Sequence, residues 1–368
     1  MNAMKVAFRA DASLQIGSGH VMRCLTLADA LAAHGAECRF ISREHAGNLI
    51  EFIRGKGFTV HPLPAGKSTA TGHASGAPSL AHAAWLGASQ MQDAAECASL
   101  LATWQPDWLI VDHYALDAQW EKALDPRYHK LMVIDDLADR EHQCELLLDQ
   151  TFGRYVTDYA ALVPVHCRLL CGSQYALLRP EFPALRPYSL QRRAQPQLRQ
   201  LLITMGGVDQ DNATGKVLSA LQSCELPADC RLVVVMGPSA PWLVEVQQQA
   251  RQLPWPTGVI ANVSDMAQLM ADSDLAIGAA GATSWERCCL GLPTVMVVLA
   301  ENQRTVARGL EQAGAVQVLQ GLGAIQERLP QLVCDLVASP VLRATMTRVA
   351  ASIADGGGLA TVIHHLES

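Results

Sequence analysis

Short apolar runs recur through this chain, and many are followed by a segment with helical spacing. Residues 5–8, 38–42, 108–111, 131–134 and 146–148 are such runs, and 201–204, 232–235, 259–260, 275–277 and 294–299 repeat the pattern further on. Segments 21–34, 48–56 and 88–103 lie between or beside some of these runs and read as helices; the first has apolar residues at i, i+3 and i+4. Strands alternating with helices specify an open, largely parallel sheet. Between the two sets of runs, residues 178–197 hold Pro180, Pro183, Pro187 and Pro196 together with Arg186, Arg192 and Arg193. Proline stops helices and central strands, which predicts a domain boundary here. The expected organisation is two α/β domains, 1–185 and 197–345, followed by a helical segment over 346–368. That last segment has helical spacing from 341 to 366, broken by Gly356-Gly357-Gly358. Residues 65–79 are rich in Gly, Ser, Thr and Ala and read as a long loop.

A chain of 368 residues with 50% hydrophobic and 17% charged residues supports two packed domains. Its net charge of −7 disfavours nucleic acid and anionic membranes as partners, while leaving room for an anionic small molecule in a locally basic site. Eleven cysteines are present without a Cys-x-x-Cys pair, so no zinc site is expected. No leader precedes the first strand and no apolar run reaches the ~20 residues of a membrane span, so a reducing cytoplasm is the expected home.

Open α/β sheets bind ligands beyond the carboxyl ends of their strands. In the N-terminal half those ends carry Arg9, Asp11, Asp112-His113-Tyr114, Asp135-Asp136 and Asp149-Gln150. In the C-terminal half they carry Gly206-Gly207-Val208-Asp209 with Asn212, Gly237, Gly278 through Gly281, and Glu301-Asn302-Gln303. The first half offers acids and histidines suited to chemistry. The second offers glycines, whose bare backbone suits phosphate oxygens. After the first strand, Gly17-Ser18-Gly19-His20 leads into a helix that also carries Arg23. This loop lacks the Lys-Ser/Thr of a P-loop, and Met22 stands where a dinucleotide fingerprint needs its third glycine. A tight turn would account for the glycines; His20 is also well placed to accept a proton near neutral pH. The segment Gly281-Ala282-Thr283-Ser284-Trp285-Glu286 enters a helix. Glu286 there suits the two hydroxyls of a ribose, and capping by Thr283 or Ser284 is the plainer alternative. The acids at the strand ends have an equally plain use in helix capping. They could also suggest a metal site, but none is assigned and no cofactor is expected.

Several blocks resemble a known family: Arg9-Ala10-Asp11-Ala12-Ser13, Ile16 through Cys24, Trp85-Leu86-Gly87, Asp107 through Tyr114, Ile134 through Arg140, Leu147 through Gln150, Tyr175 through Phe182, Met205 through Asp209, and Glu301-Asn302-Gln303. In this order they are similar to the UDP-2,4-diacetamido-2,4,6-trideoxy-β-L-altropyranose hydrolases of pseudaminic acid biosynthesis. The glycine segments of the C-terminal half also look like the UDP-binding half of the N-acetylglucosaminyltransferase that makes lipid II. Met205 stands where many relatives have Phe, a departure that touches binding and not the reaction.

The resemblance implies a GT-B-like architecture, two Rossmann-type domains with parallel sheets facing a central cleft. It implies a UDP-sugar substrate, hydrolysis at the sugar C1 with inversion, and His20 as the catalytic base. Asp11 would orient His20 or bind the sugar, and both uses stay open. Arg9, Gly17, Gly19, Arg23, Asp112, His113 and Tyr114 would meet the substrate in the first domain. Gly206, Gly207, Asp209, Asn212, Gly281, Ala282, Thr283, Ser284, Glu286, Glu301, Asn302 and Gln303 would do so in the second. UDP is a good leaving group, so one base for water takes the place of the two carboxyl groups of an ordinary inverting glycosidase. A GT-B glycosyltransferase using the same donor is the main alternative, and a non-catalytic nucleotide-sugar binder is the other. The binder has no need of the Gly-Ser-Gly-His loop, and no basic amphipathic segment suited to a lipid acceptor is visible.

Overall fold

The computed structural model describes residues 3–66, 80–195, 197–261 and 263–368. The expected loop at 65–79 falls outside the described residues from 67 onward, as does Pro196. The chain divides into two compact units, residues 1–177 with 359–368, and residues 178–358.

The N-terminal unit contains, in order, β1 (Lys5–Ala10), α1 (Gly19–Ala33), β2 (Glu37–Arg43), α2 (Ile50–Gly55), β3 (Thr59–Leu63), α3 (Gln90–Trp104), β4 (Trp108–Asp112), α4 (Ala118–Leu124), β5 (Lys130–Ile134), β6 (Leu146–Asp149) and β7 (Arg168–Cys171). Its strands form one parallel sheet in the order β3-β2-β1-β4-β5-β6-β7. The C-terminal unit contains α5 (Glu181–Arg193), β8 (Gln200–Thr204), α6 (Ala213–Leu221), β9 (Arg231–Met236), α7 (Leu243–Ala250), β10 (Thr257–Ala261), α8 (Met266–Asp272), β11 (Leu275–Ala279), α9 (Thr283–Cys289), β12 (Thr294–Val298), α10 (Arg304–Ala313), β13 (Val316–Gln320), α11 (Gly323–Ala338) and α12 (Pro340–Ile353). Its parallel sheet has the order β10-β9-β8-β11-β12-β13. Both sheets reverse direction of growth once, between β1 and β4 and between β8 and β11. A doubly wound sheet binds its ligand at such a switch point.

Strand parity sorts the core of the N-terminal unit. Successive side chains of a strand point to opposite faces. Val6, Phe8 and Ala10 share one cluster with Trp108, Ile110, Met132 and Ile134 and with Val21, Cys24, Leu25, Ala28 and Leu31 of α1. Ala7, Leu109, Val111, Leu131 and Val133 share the other with Ala94, Cys97 and Leu101 of α3 and Trp120 of α4. The last helix, α13 (Gly358–Glu367), belongs to the α1 face: Leu359, Val362, Ile363 and Leu366 are buried there. Its Leu366 carbonyl accepts the indole N–H of Trp108 at 2.9 Å.

Two expectations about chain organisation differ from this arrangement. The proline-rich stretch is not a linker, because α5 runs through it. Pro183 sits in the first turn, where an N–H would have no intrahelical partner, and only Pro187 lies deeper in the helix. Arg186 donates to the carbonyls of Cys289, Ala351 and Ala354, and Arg193 to those of Met270 and Ser273, which ties α5 into the second unit. The division therefore falls before residue 178, and the segment 346–368 is split between the units at Gly358. The unanticipated strands β3, β7 and β13 all lie at sheet edges. Edge strands are short and mixed in polarity, as Thr59-Val60-His61-Pro62-Leu63 shows. Among the described residues, no helix is long and apolar enough to cross a membrane.

Candidate active site

The loop after β1 is closed by its own side chains. Ser13 Oγ accepts the N–H groups of Gln15 and Ile16, and the Gly17 N–H donates to the Ser13 carbonyl at 2.9 Å. Gly17 has φ +81°, a left-handed backbone that favours glycine, and among the described residues a Cβ placed on Gly17 or Gly19 would meet no atom within 4 Å beyond its chain neighbours. No side chain caps α1, and its first turn holds no acid.

His20 stands in that first turn, next to the end of β4. Its Nδ1 lies 2.5 Å from Asp112 Oδ1. Arg23, one turn further along α1, grips the same carboxylate from Nε at 2.6 Å and Nη2 at 2.7 Å, and reaches Asp136 Oδ2 with Nη1 at 2.6 Å. Tyr114 Oη also donates to Asp136 Oδ2 (2.8 Å) and packs edge-on against the His20 ring with centroids 4.6 Å apart. Burial alone would raise the Asp112 carboxyl. Arg23 and then His20 outweigh it and hold the group below the usual carboxylate range. An ionised Asp112 accepts the proton of His20 Nδ1; in a neutral imidazole that assignment places the lone pair on Nε2.

Parity explains this set. Asp112 continues the Trp108 and Ile110 face and Asp136 the Met132 and Ile134 face, so both point toward α1. Arg9 and Asp11 continue the Ala7 face and turn the other way, toward α3. Asp11 therefore does not orient His20; Asp112 does. Asp11 is fully buried and bonds Arg9 Nη1 at 2.6 Å and the Arg43 N–H at 2.7 Å. Arg9 binds both oxygens of Asp93 on α3, at 3.1 and 2.7 Å, and Arg43 adds Nη2 to Asp93 Oδ2 at 2.6 Å. His113 belongs to this second network. The Ala115 N–H donates to its Nδ1, so Nε2 carries the proton and faces Asp11 Oδ2 at 3.3 Å. Asp93 and Arg43 carry no motif and were invisible in the sequence; the period-2 side of Arg9 was the available signal.

In the C-terminal unit the glycine elements flank the β8/β11 switch point. Gly206 has φ +96°, and among the described residues a Cβ on Gly206, Gly207 or Gly281 would meet no atom within 4 Å beyond its chain neighbours. Gly237 donates its N–H to the Gly207 carbonyl at 2.9 Å, so close that a Cβ there would lie 2.1 Å from that oxygen. Asp209 and Asn212 are engaged with α6. The Asp209 carboxylate accepts the N–H groups of Ala213 and Thr214, and Asn212 Oδ1 accepts that of Gly215. These two sequence-assigned binding residues thus satisfy a helix start.

At α9 neither Thr283 nor Ser284 caps the helix; Ala282 holds the capping position with no side-chain bond. Glu286 lies 3.6 Å from Arg179 Nη2. Burial raises its carboxyl, against the pull of Arg179 and Arg287. Arg287 was not anticipated. It is buried, donates to the Ala279 carbonyl at 2.8 Å and to Ser284 Oγ at 3.2 Å, and lies so close behind Gly278 that a Cβ there would meet Nη1 at 2.3 Å. Of Glu301-Asn302-Gln303, Gln303 Oε1 accepts the Leu299 N–H at 2.8 Å, while Glu301 and Asn302 are exposed. Among the described residues, no group of three or more His, Cys, Asp or Glu side chains is arranged to hold a metal ion.

Residues 200–356 match the glycosyltransferase family 28 C-terminal domain. Over 312 residues the chain is 27% identical to the UDP-2,4-diacetamido-2,4,6-trideoxy-β-L-altropyranose hydrolase of Campylobacter jejuni, an alignment that covers 84% of this chain and 97% of that protein. Over 190 residues it is 30% identical to the UDP-N-acetylglucosamine–N-acetylmuramyl-(pentapeptide) pyrophosphoryl-undecaprenol N-acetylglucosamine transferase of Hahella chejuensis, covering 48% of this chain and 50% of that one. The crystal structure of MurG from Acinetobacter baumannii superposes with a TM-score of 0.70 at 15% identity, over 99% of both chains. The fold is GT-B-like, and the chain is related to the trideoxy-altropyranose hydrolase, as its motifs indicated.

Proposed function

We propose that this protein is an enzyme of sugar biosynthesis that acts on a UDP-sugar, and that it hydrolyses UDP-2,4-diacetamido-2,4,6-trideoxy-β-L-altropyranose to UDP and the free sugar. The observation that carries the reading is His20, held at Nδ1 by the ionised Asp112 and left with Nε2 as a proton acceptor. In the proposed reaction, Nε2 takes a proton from water as the water oxygen bonds to C1. The C1–oxygen bond to UDP breaks with its electron pair on the diphosphate, and C1 inverts. Arg23 and Asp136 hold Asp112 and Tyr114 in place around that base. The open backbone at Gly206, Gly207 and Gly281, with Ala282 at the start of α9, receives the diphosphate, and Glu286, steadied by Arg179, receives the ribose hydroxyls. No cofactor takes part in this scheme.

The family 28 match and the MurG-like fold favour a second reading, transfer of the sugar to an acceptor instead of water. Purified protein incubated with the UDP-sugar and no acceptor, followed by NMR at the anomeric proton and phosphorus, separates the two. Release of UDP with inverted anomeric configuration is expected. No release without an acceptor overturns the hydrolase reading, and EDTA is expected to leave the rate unchanged.

A further inference from the structure

Beside His20 stands a set of rings that the reaction scheme leaves unused. The short turn Ala83–Leu86 precedes α3, held by the Ala83 N–H on the Leu80 carbonyl and the Trp85 N–H on the His82 carbonyl. Leu86 is buried and anchors the turn. His82 and Trp85 remain half-exposed, with centroids 4.3 Å apart. Trp85 lies nearly parallel to Tyr114 at 5.9 Å, and His82 sits 5.5 Å from Tyr114. Tyr114 in turn touches the His20 ring. A continuous aromatic surface therefore runs from the imidazole to a half-exposed indole, all within the N-terminal unit.

Trp85 and His82 are only partly buried, so part of each ring stays open to a ligand beside Tyr114 and His20. The chemistry next to them narrows what that is. His20 must lie against C1 of the sugar, so whatever occupies the adjoining surface is the rest of the pyranose. A 6-deoxy ring with two acetamido groups carries three methyl groups and a C–H face, which suit aromatic faces better than the hydroxyl-rich edge of an ordinary hexose. We infer that Trp85, with His82 and Tyr114, is the subsite for the apolar face of the sugar and selects deoxy-acetamido sugars over fully hydroxylated ones. This rests on the proposed UDP-sugar reading for the identity of the ring; the surface itself does not.

The test uses the full chain as wild type, Trp85→Ala, Trp85→Phe and His82→Ala. Saturation-transfer NMR and titration calorimetry are run separately with the free 2,4-diacetamido-2,4,6-trideoxy sugar and with UDP. In wild type, saturation is expected to reach the C6 and acetamido methyl protons most strongly. Trp85→Ala weakens the sugar about tenfold and leaves UDP unchanged; Trp85→Phe retains most of the affinity, and His82→Ala falls between them. Sugar affinity that is absent in wild type, unchanged in Trp85→Ala, or lost in step with UDP affinity overturns the subsite. Turnover distinguishes this from the function itself. A wild type that binds the sugar through Trp85 and releases no UDP sinks the hydrolase and leaves the subsite standing. Hydrolysis by Trp85→Ala at unchanged KM does the reverse.

Discussion

His20, Asp112 and Arg23 form one unit in which each residue has a distinct electrostatic task. Arg23 keeps Asp112 ionised, Asp112 fixes the imidazole tautomer, and His20 presents Nε2. His20→Asn is expected to lower kcat by about 10²–10⁴ with UDP binding intact, read by steady-state kinetics and calorimetry. Asp112→Asn is expected to fall in the same range, about 10²–10⁴, because a neutral amide no longer specifies which ring nitrogen holds the proton. The buried Arg9–Asp93–Arg43 network does different work. Removing Asp93 takes the two-oxygen partner from buried Arg9, leaving it Asp11 alone, and leaves Arg43 with Glu96 and the Pro64 carbonyl. Asp93→Ala is therefore expected to cost about 3–5 kcal/mol of stability, measured by denaturant unfolding. The loop and helix pattern placed His20 at a strand–loop–helix junction, where the structure has it at the start of α1, and only the family resemblance proposed it as the base. The choice between Asp11 and Asp112 was not legible, because both sit at strand ends and only the face each strand turns to α1 separates them.

At the level of elements, two glycine loops stand at two switch points, and their backbones are shaped by neighbours distant in sequence. Gly237 shows this, since its backbone closes on the Gly207 carbonyl across the β8/β9 strand ends. Gly237→Ala is expected to push that carbonyl aside at a cost of about 1–3 kcal/mol and to weaken UDP binding, while His20 chemistry is untouched; calorimetry with UDP reads the loss. The helix α5 makes the opposite point. Four prolines in twenty residues argue for a break, but two of them fall at or near the helix start, one lies beyond the helix, and arginine bonds to three other segments secure the rest. Proline was read as a stop and a boundary; the contacts that carry α5 past Pro187 lie 77 to 168 residues away in sequence.

On the scale of the whole molecule, the last ten residues belong to the first unit. Leu359, Val362, Ile363 and Leu366 are buried in its core. At about 1.5–3 kcal/mol per side chain, their removal is comparable to the total stability of a domain, about 5–15 kcal/mol. A chain ending at Gly358 is expected to lose protease resistance in residues 1–177 and to keep it in 178–358, as limited proteolysis with mass spectrometry will show. Acid acts on the same unit. In Asp11, Asp93 and Asp112 burial works upward, but paired cations outweigh it and hold the folded carboxyls below their ordinary values; Asp135 is held at about 2. Depressed folded values mean stabilisation that is complete well above the unfolded carboxylate value of about 3.9. It drains as pH falls through that value toward the folded ones. Hydrogen exchange between pH 7 and pH 3 is expected to show the N-terminal sheet opening on this account, and uniform protection there at pH 3 would count against it.

Local pattern along the chain is enough for the features that depend on it alone. Apolar runs alternating with helical spacing dictate parallel sheets, and Gly-Ser-Gly-His before an amphipathic pattern marks the junction where α1 begins. Motif order was enough to indicate the relation to the trideoxy-altropyranose hydrolase. Tertiary structure decided what depends on which face a side chain takes and on which distant segments meet. It turned Asp112 and Asp136 toward α1 and Arg9 and Asp11 toward α3. It also brought Trp85 beside Tyr114 and returned the C-terminal helix to Trp108. A strand's parity is a property of one residue step, and a one-residue shift reverses it. Sequence patterns locate strand ends less finely than that, so the carboxylate that partners His20 became visible only in the folded chain.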